Sequence, residues 1–414
     1  MSLSSQYPKP FQNDPELLWV IFISSLFLVA KLMFSSLTYG TNDITAWVRF
    51  SRIIEKTGTF EIYRLEPRYN HPPLISWILP LIDAISRKTQ WGFPYTFRLL
   101  PILADYLSAG VIWELLGIYN SKKRFLITML CVVNPIQFFV SAFHGNTDPV
   151  FLFFILSSVY FVERGNIKLG GFLYGLSLCV KIVPLILLPA YILRVAQKDK
   201  SRWRVFILCS STIPILIFLP YLVHDFSAIL NNMFYYDSSK GLWGLGHIFR
   251  SMLKNDALPG YLRQTGFRLF LYHCVFGKFL YWLFLGLIFF RLRTKETNLA
   301  ENIFLSFSLF LVLTPGFGVQ YLSWLSVFSV IVCCETGALY MLAGGIFLYR
   351  VYGYWSSGPF LDYANSLAFG GRWAGFDKEL DLVLWVLVLF MLVKFLAKLK
   401  PTPKYNYTGG NFCF

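Results

Sequence analysis

The stretch LLWVIFISSLFLVAKLMFSSLTY, residues 17–39, contains one charged side chain, Lys31, in 23 positions. A helix of roughly 20 mostly apolar residues is long enough to span a bilayer. The stretch is too long for the apolar core of a signal peptide, and it lacks a convincing small-residue cleavage site. We therefore predict that residues 17–39 form a membrane-spanning helix that remains part of the protein.

The whole chain has the same apolar character. Of its 414 residues 56% are apolar and 14% are charged, with a mean hydropathy of +0.55. Soluble globular proteins are nearer to about 45–50% apolar and about 25% charged. This difference excludes an ordinary soluble enzyme and a disordered chain, and the continuous apolar runs are unlike the alternating segments of a transmembrane β-barrel. The sequence predicts an all-α, polytopic transmembrane protein.

Further apolar runs predict roughly a dozen membrane segments in all. The net charge of +15 concentrates in short loops between these runs, which indicates membrane sidedness rather than nucleic-acid binding. Loops 194–204, 291–295 and 394–404 are basic and are therefore predicted to be cytoplasmic, which leaves residues 224–267 and 353–378 outside. The further runs are 72–86, 97–119, 125–143, 148–162, 170–194, 205–223, 268–290, 302–314, 320–334, 336–352 and 379–398.

Two of these runs leave alternatives open. If run 72–86 crosses the membrane, the basic sequence NSKKR (120–124) falls outside; a re-entrant or incomplete helix returns it to the cytoplasm and puts 144–148 outside. Run 170–194 contains Pro184 and Pro189, so it forms either one kinked span or two short helices. We treat residues 1–414 as one integral membrane domain, with a module at 17–335 and C-terminal spans and a cytoplasmic tail at 336–414.

The first external loop holds the candidate catalytic residue. Asp43 follows Asn42 directly after the first span and begins a stretch that predicts an amphipathic helix lying in the membrane interface. A structural role as helix N-cap and a functional role as a carboxylate at the water edge of the bilayer are both open for Asp43. The predicted apolar face comprises Ile44, Trp47, Val48, Ser51 and Ile54, and the charged face comprises Arg49, Arg52, Glu55 and Lys56.

Two further polar sequences interrupt the apolar runs. YNHPPL (69–74) closes the first loop, where Tyr69, Asn70 and His71 are candidates to line a polar pocket beside Asp43, although the prolines alone suit a structural turn. HGNTDP (144–149) separates two spans and offers His144, Asn146 and Asp148. For Asp148, a helix cap before proline is an equally good account.

The third group of candidates lies further along the chain. Lys181, in CVKIVP (179–184), is a charge inside an apolar run that a proline interrupts near the predicted outer surface, where an ammonium group suits an anionic phosphate. In QYLSW (320–324), the side chains of Gln320, Tyr321 and Trp324 share one predicted helical face. A membrane-interface turn explains this sequence, and so does a site in which flat rings and an amide hold a sugar.

With these motifs in order, the sequence resembles the GT-C superfamily of polytopic glycosyltransferases, and in particular the polyprenol-phosphate-mannose-dependent mannosyltransferases. The resemblance covers about residues 17–335. It rests on Asp43 after the first span, YNHPPL, Asn134-Pro135 followed by Gly145-Asn146, the Lys-x-x-Pro element at Lys181, and QYLSW.

The resemblance implies a specific chemistry. It assigns Asp43 as the general base on the acceptor hydroxyl in an inverting transfer, and Lys181 as a contact of the donor phosphate. Arg49, on the charged face of the first-loop helix, is a second candidate for that phosphate. Asn42-Asp43 offers one carboxylate where the similar enzymes have two acidic residues, so we expect no metal and no other cofactor.

We therefore expect a membrane glycosyltransferase that moves a hexose, mannose in the first instance, from a polyprenyl-phosphate donor to a lipid-linked or cell-surface glycan. Its expected partners are that donor, a glycan or glycolipid acceptor and membrane lipids, with a small membrane subunit left open and nucleic acid excluded. The expected location is a prokaryotic cell membrane or the endoplasmic reticulum membrane, with the site outside or lumenal. The alternative is a lipid-carrier flippase or transporter, for which symmetric halves with broken helices would be typical.

Overall fold

A computed structural model describes residues 15–234, 238–295, 297–357 and 361–399, and this part of the chain is almost entirely helical. Four strands of two residues each are the only β-structure within these ranges. The helices are α1 (Pro15–Leu37), α2 (Asn42–Thr57), α3 (Ile62–Leu65), α4 (Pro73–Thr89), α5 (Phe93–Leu115), α6 (Ser121–Val132), α7 (Pro135–Phe139), α8 (Asp148–Glu163), α9 (Ile167–Val180), α10 (Leu188–Lys198), α11 (Trp203–Phe234), α12 (Gly244–Lys254), α13 (Gly260–Leu292), α14 (Leu299–Leu313), α15 (Leu322–Val332), α16 (Cys334–Trp355) and α17 (Gly375–Lys398).

Several of these helices suit a bilayer. Five helical segments in the described ranges are long and apolar enough to cross it: Pro15–Leu37, Ser121–His144, Trp203–Met233, Gly260–Leu292 and Gly375–Lys398. The segment Ser121–His144 joins α6, α7 and a π-helical turn at Val140–His144. Further apolar helices are shorter, such as Ile167–Val180 and Leu299–Leu313. The prediction of an all-α multi-pass membrane protein is therefore confirmed.

One end of the bundle collects the predicted polar loops, and we call it the site end. Thr41, just after α1, donates through Oγ1 to the carbonyl of His144 at a distance of 2.8 Å. Basic side chains gather at the opposite end, where Glu114 accepts from Arg124 and Arg164, and Glu163 accepts from Arg194. Because α5 and α8 run from the site end to that basic end, the residues 120–124 lie away from Asp43.

The position of α4 decides whether residues 72–86 cross the membrane. It lies along α2: Ser51 donates to the carbonyl of Leu79, and Arg87 pairs with Glu55 at 2.7 Å. Residues on either side of α4 return to the same ring of α2, since the His71 and Phe97 rings lie 4.2 and 4.9 Å from that of Trp47. The structure therefore agrees with the incomplete-helix alternative for residues 72–86.

The run 170–194 forms two helices rather than one kinked span. Helix α9 ends at Val180, Lys181 has extended backbone angles, and a 3-10 turn at Val183–Leu187 leads into α10. Pro184 and Pro189 each lie in the first turn of the element that follows, where a missing N–H costs nothing. This break leaves Lys181 at the site end between two short helices.

The predicted amphipathic helix is present as α2, but its apolar face packs on protein. Ile44, Trp47, Ser51 and Ile54 are buried as expected, and Phe50 is buried with them. The structure excludes the N-cap alternative for Asp43: Thr41 caps α2, and its Oγ1 accepts from the N–H of Asp43. The Asp43 carboxylate is thereby left for other partners.

Short strands join the C-terminal part of the chain to the site end. Strand β1 (Gly40–Thr41) pairs in parallel with β4 (Tyr363–Ala364), and β2 (Ser239–Lys240) pairs antiparallel with β3 (Gly316–Phe317). Residues from 224–267 and 353–378 therefore lie at the same end as Asp43, in agreement with their predicted common side. Residues 235–237 of the predicted external stretch 224–267, and the tail from residue 400, are outside the described residues.

Candidate active site

The Asp43 carboxylate is held by the turn that separates α7 from α8. Its Oδ2 atom accepts from Nε2 of His144 at 3.0 Å and from Nδ2 of Asn146 at 2.9 Å. The amide of Asn146 is oriented because its Oδ1 accepts from the N–H of Thr147 at 2.7 Å. Three candidates from two separate stretches of sequence, Asp43, His144 and Asn146, thus form one cluster.

One oxygen of Asp43 remains available. Within the described ranges no hydrogen bond reaches Oδ1, and the side chain is 35% exposed. Burial raises the pKa of Asp43, but the nearby His144 ring and its hydrogen bond outweigh burial, helped by Lys181 and His71, so the pKa lies below its ordinary value. Asp43 is therefore an ionised carboxylate at neutral pH. Its Oδ2 accepts two hydrogen bonds, and its Oδ1 is available to accept one from a substrate.

Tyr352 of α16 completes a chain of hydrogen bonds behind Asp43. Its hydroxyl lies 2.8 Å from Nδ1 of His144, and both side chains are buried. An ionised carboxylate only accepts hydrogen bonds, so Nε2 of His144 must carry the proton shared with Asp43. In the neutral ring Nδ1 then accepts from the Tyr352 hydroxyl, which favours this tautomer.

The backbone around His144 requires close approach to α2. Gly145 has φ +70°, and a Cβ atom there would lie 2.7 Å from Cγ1 of Ile44, so a larger residue does not fit. Trp47 donates through Nε1 to the Gly145 carbonyl at 3.0 Å. Together with the Thr41 contact described above, these interactions fix the turn against the start of α2.

Arg98 of α5 stabilises the turn that holds His144. Its buried guanidinium donates to the carbonyl of Ser35 at 2.9 Å, to Oγ1 of Thr38 at 2.9 Å and to the carbonyl of Ala142 at 3.0 Å. Carbonyls at the end of α1 and in the π-helical turn have no helical partners of their own. Arg98 therefore connects the first span to the turn that holds His144.

Asp148 and Lys181 form a buried ion pair. Nζ of Lys181 donates to both carboxylate oxygens of Asp148 at 2.9 Å, and Nε1 of Trp324 also donates to Asp148. The structure excludes the helix-cap alternative for Asp148, because Thr147 occupies the cap position and Asp148 lies in the first turn of α8. An ammonium group has three N–H donors, so Lys181 keeps one beyond those it gives to Asp148.

Aromatic rings from the QYLSW stretch lie beside this pair. The rings of Tyr321 and Trp324 stack with centroids 4.1 Å apart, and Nζ of Lys181 lies 5.8 Å from the Trp324 ring. Gln320 and Tyr321 belong to a 3-10 turn at Val319–Tyr321 and are half-buried, whereas Trp324 is buried in α15. The three therefore span two elements rather than the face of one helix.

The residues of the YNHPPL stretch separate into two environments. Tyr69 is fully buried among Phe50 and Tyr63, which places it in the core rather than in an open pocket. The half-buried His71 ring packs on Trp47, and burial together with the Lys181 charge lowers its pKa to about 3, against the opposing charge of Asp43. Neutral His71 thus lies near the catalytic candidates, and Asn70 beside it is half-buried.

Two remaining candidates have structural partners. Arg49 pairs with Glu66 at 2.9 Å and its side chain is 45% exposed. Asn42 accepts through Oδ1 from the N–H and hydroxyl of Ser366 at 3.0 and 2.8 Å. Asn42 therefore joins α2 to the C-terminal segment, and a direct substrate contact of either residue stays a prediction.

Sequence reasoning missed Arg98, Ser366 and Tyr352. Arg98 is a charge within an apolar run, which is the signal that singled out Lys181. Tyr352 contacts His144 across 208 positions and carries no local signal. No group of three or more His, Cys, Asp or Glu side chains in the described ranges is arranged to hold a metal ion.

Residues 70–224 match the family model described as dolichyl-phosphate-mannose-protein mannosyltransferase. GPI mannosyltransferase 1 of Eremothecium gossypii is 27% identical over 139 residues, which are 34% of this chain and 33% of that protein. The enzyme of the same name from Kluyveromyces lactis is 29% identical over 153 residues, 36% of each chain. That of Saccharomyces cerevisiae is 29% identical over 119 residues, 28% of each chain.

These matches confirm the predicted resemblance to mannosyltransferases of the GT-C superfamily. This chain aligns with about a third of the length of the curated relatives. The family match contains His144, Asn146, Asp148 and Lys181, whereas Asp43 lies before it.

Proposed function

We propose that this chain, as a relative of membrane mannosyltransferases, transfers mannose from a polyprenyl-phosphate donor to a hydroxyl of a glycosylphosphatidylinositol precursor. The observation that carries the proposal is the Asp43 carboxylate, with Oδ2 bound by His144 and Asn146 and Oδ1 open. The proposed acceptor follows the names of the relatives, each of which is a GPI mannosyltransferase. The same relationship favours a transferase over the flippase or transporter alternative.

The proposed reaction needs one base and an aligned donor. Oδ1 of Asp43 removes the proton of the acceptor hydroxyl as its oxygen bonds to C1 of the sugar. The bond between C1 and the phosphate oxygen breaks, its electron pair stays on the phosphate, and the configuration at C1 inverts. Because the leaving group is already a phosphate monoester, alignment and proton removal supply most of the catalysis; a general base typically contributes ~10²–10⁴-fold.

Lys181 is the proposed contact of the donor phosphate. The ion pair with Asp148 is neutral as a unit, but the third N–H of Lys181 is free to donate to a phosphate oxygen. Lys181 also lies close enough to Asp43 to lower the pKa of that carboxyl. A phosphate at Lys181 would therefore hold C1 near the base, with the half-buried ring of Tyr321 supplying a flat surface for the sugar.

We further propose that the site end faces the lumen of the endoplasmic reticulum. The basic opposite end suits the cytoplasm under the positive-inside rule. The relatives named above are eukaryotic, which favours the endoplasmic reticulum over a prokaryotic membrane. A small membrane subunit stays an open partner.

The proposal is tested with the purified full chain in neutral nanodiscs. Polyprenyl-phosphate mannose and polyprenyl-phosphate glucose are each supplied with a glucosaminyl phosphatidylinositol acceptor, and products are measured by mass spectrometry. We expect one hexose to be added from the mannose donor with inverted configuration. Transfer from glucose only, or donor translocation without a glycosylated product, would contradict the proposal.

A further inference from the structure

Four basic side chains gather at the site end, away from Asp43. Arg250 and Lys254 lie one turn apart on α12, Arg372 precedes α17, and Lys378 lies in its first turn. Arg250 donates to the carbonyl of Lys240 in β2 at 3.3 Å. We call Arg250, Lys254, Arg372 and Lys378 the basic cluster.

The strand β2 brings the two parts of the cluster together. A Cβ atom at Gly241, beside β2, would lie 2.8 Å from Cδ of Arg250, and one at Gly371 would lie 3.1 Å from Oγ of Ser239. The backbone of 239–241 is thus flanked by Arg250 on one side and by the segment preceding Arg372 on the other. The positive charges of the cluster repel one another, since those of Arg250, Arg372 and Lys378 lower the pKa of Lys254.

The cluster holds no counter-charge in the part of the chain that is described. None of its four side chains forms an ion pair there, and two buried carboxylates of α17 have other partners. Asp377 accepts from Arg350 at 3.2 Å, and Asp381 accepts from His247 at 2.7 Å. Concentrated positive charge without internal compensation attracts an anion.

Aromatic contacts connect the cluster to the candidate active site. Phe317 lies 6.0 Å from Tyr321, which itself stacks on Trp324. Phe317 also stacks on Trp243 at 4.3 Å and contacts Trp373 at 6.2 Å. Trp243 immediately precedes α12, which carries Arg250, and Trp373 follows Arg372. Contacts between largely buried rings therefore connect the Asp148–Lys181 pair to the basic cluster.

We propose that the basic cluster binds the phosphodiester of the lipid-anchored acceptor. This inference rests on the proposed function. The donor phosphate is bonded to the transferred sugar and must lie beside Asp43, so the cluster, several rings away, suits a second phosphate. Arginine and lysine near an amphipathic helix such as α12 are typical of contact with anionic lipid headgroups at a membrane surface.

Transfer kinetics test the inference with two acceptors in neutral phosphatidylcholine nanodiscs. One is glucosaminyl phosphatidylinositol, and the other is a glucosaminyl dialkylglycerol that has no phosphate. The variant Arg250→Gln/Arg372→Gln should raise the KM for the phosphate acceptor about tenfold or more, which corresponds to lost charged hydrogen bonds. In this variant we expect no change in the KM for the neutral acceptor, in the donor KM or in kcat. The matched control is Arg52→Gln, which removes an exposed cation on α2 and should leave KM and kcat at their wild-type values.

Equal KM values for the variant and the wild type would overturn the inference, and so would an equal rise in KM for both acceptors. It would also be overturned if the wild-type KM were the same for both acceptors and the cluster retained phosphatidylserine instead. Native mass spectrometry separates failure here from failure of the proposed function. If the wild type transfers no sugar, retention of phosphatidylinositol that is lost in the double variant still supports phosphate binding at the cluster. Equal retention by both proteins overturns it.

Discussion

Nε2 of His144 lies 3.0 Å from Oδ2 of Asp43, although 101 positions separate the two residues in sequence. The contact leaves the other carboxylate oxygen exposed and places Tyr352 behind the histidine. Position and protonation of the proposed base are therefore both determined by residues distant from it in the chain. This relationship makes Tyr352 a positioning residue whose effect is measurable.

The substitution Tyr352→Phe should lower kcat about tenfold with little change in KM, since one hydrogen bond is lost and no substrate contact is removed. Without the hydroxyl, the proton of His144 is free to move to Nδ1, and Asp43 loses a donor that holds its pKa low. The acidic limb of the kcat/KM profile should therefore move to higher pH. Tyr349→Phe, on an exposed face of the same helix, is the control; an unchanged profile in Tyr352→Phe argues against this role.

The turn at Gly145 should tolerate no side chain. Gly145→Ala combines positive φ with a clash against Ile44 and should reduce transfer more than tenfold by moving His144 and Asn146. Gly165→Ala provides the control, because Gly165 has φ +83° and nothing within 4 Å of a Cβ atom there. That variant should lose only about 1 kcal/mol of stability and keep its activity. Similar activity losses in both variants would attribute the effect to backbone strain alone.

Donor binding should compensate for a missing Asp148 charge. Asp148→Asn leaves the Lys181 ammonium without its counter-charge and should cost about 3–5 kcal/mol of stability. A donor phosphate at Lys181 replaces that charge, so the donor should raise the Tm of this variant by more than it raises the wild-type Tm. Glu163→Gln, which breaks the pair with Arg194 at the opposite end, should show the wild-type donor response. Equal responses in both variants would remove Lys181 from the donor site.

His71 should make stability depend on pH. Its folded pKa of about 3 lies below the unfolded value of 6.5, so between these values the unfolded chain binds more protons. The stability associated with neutral His71 is complete above pH 6.5 and is lost as the pH falls toward 3. Between pH 7.5 and pH 5 the wild type should lose about 1–2 kcal/mol more than His71→Gln. Identical losses in thermal unfolding would show that His71 does not become neutral on folding.

The sequence predicted most of what depends on local pattern. Apolar runs predicted the five membrane-length helices of the described residues, prolines after Lys181 predicted a kink or a break there, and alternating faces predicted α2. It also selected Asp43, His144 and Asn146 as candidates. It did not predict their mutual contacts, because a pairing across 101 positions has no periodicity.

Polar residues next to helix starts were the harder cases. Asp43 and Asp148 both lie at helix starts where an aspartate could cap the helix, but Thr41 and Thr147 occupy the N-cap positions. Whether such a carboxylate caps a helix or pairs across the bundle depends on the tertiary position of its partners, here Asn146 and Lys181. The exposed fraction of Asp43 and the burial of Tyr69 likewise follow from packing between elements.

The most direct test of the central claim is transfer by Asp43→Asn. The amide keeps the shape of the side chain and can still accept from Asn146, but it cannot remove a proton from the acceptor. The variant should retain its fold and its affinity for polyprenyl-phosphate mannose, while kcat falls by about 10²–10⁴-fold. Mannose transfer at the wild-type rate by a folded, donor-binding Asp43→Asn protein would contradict the account.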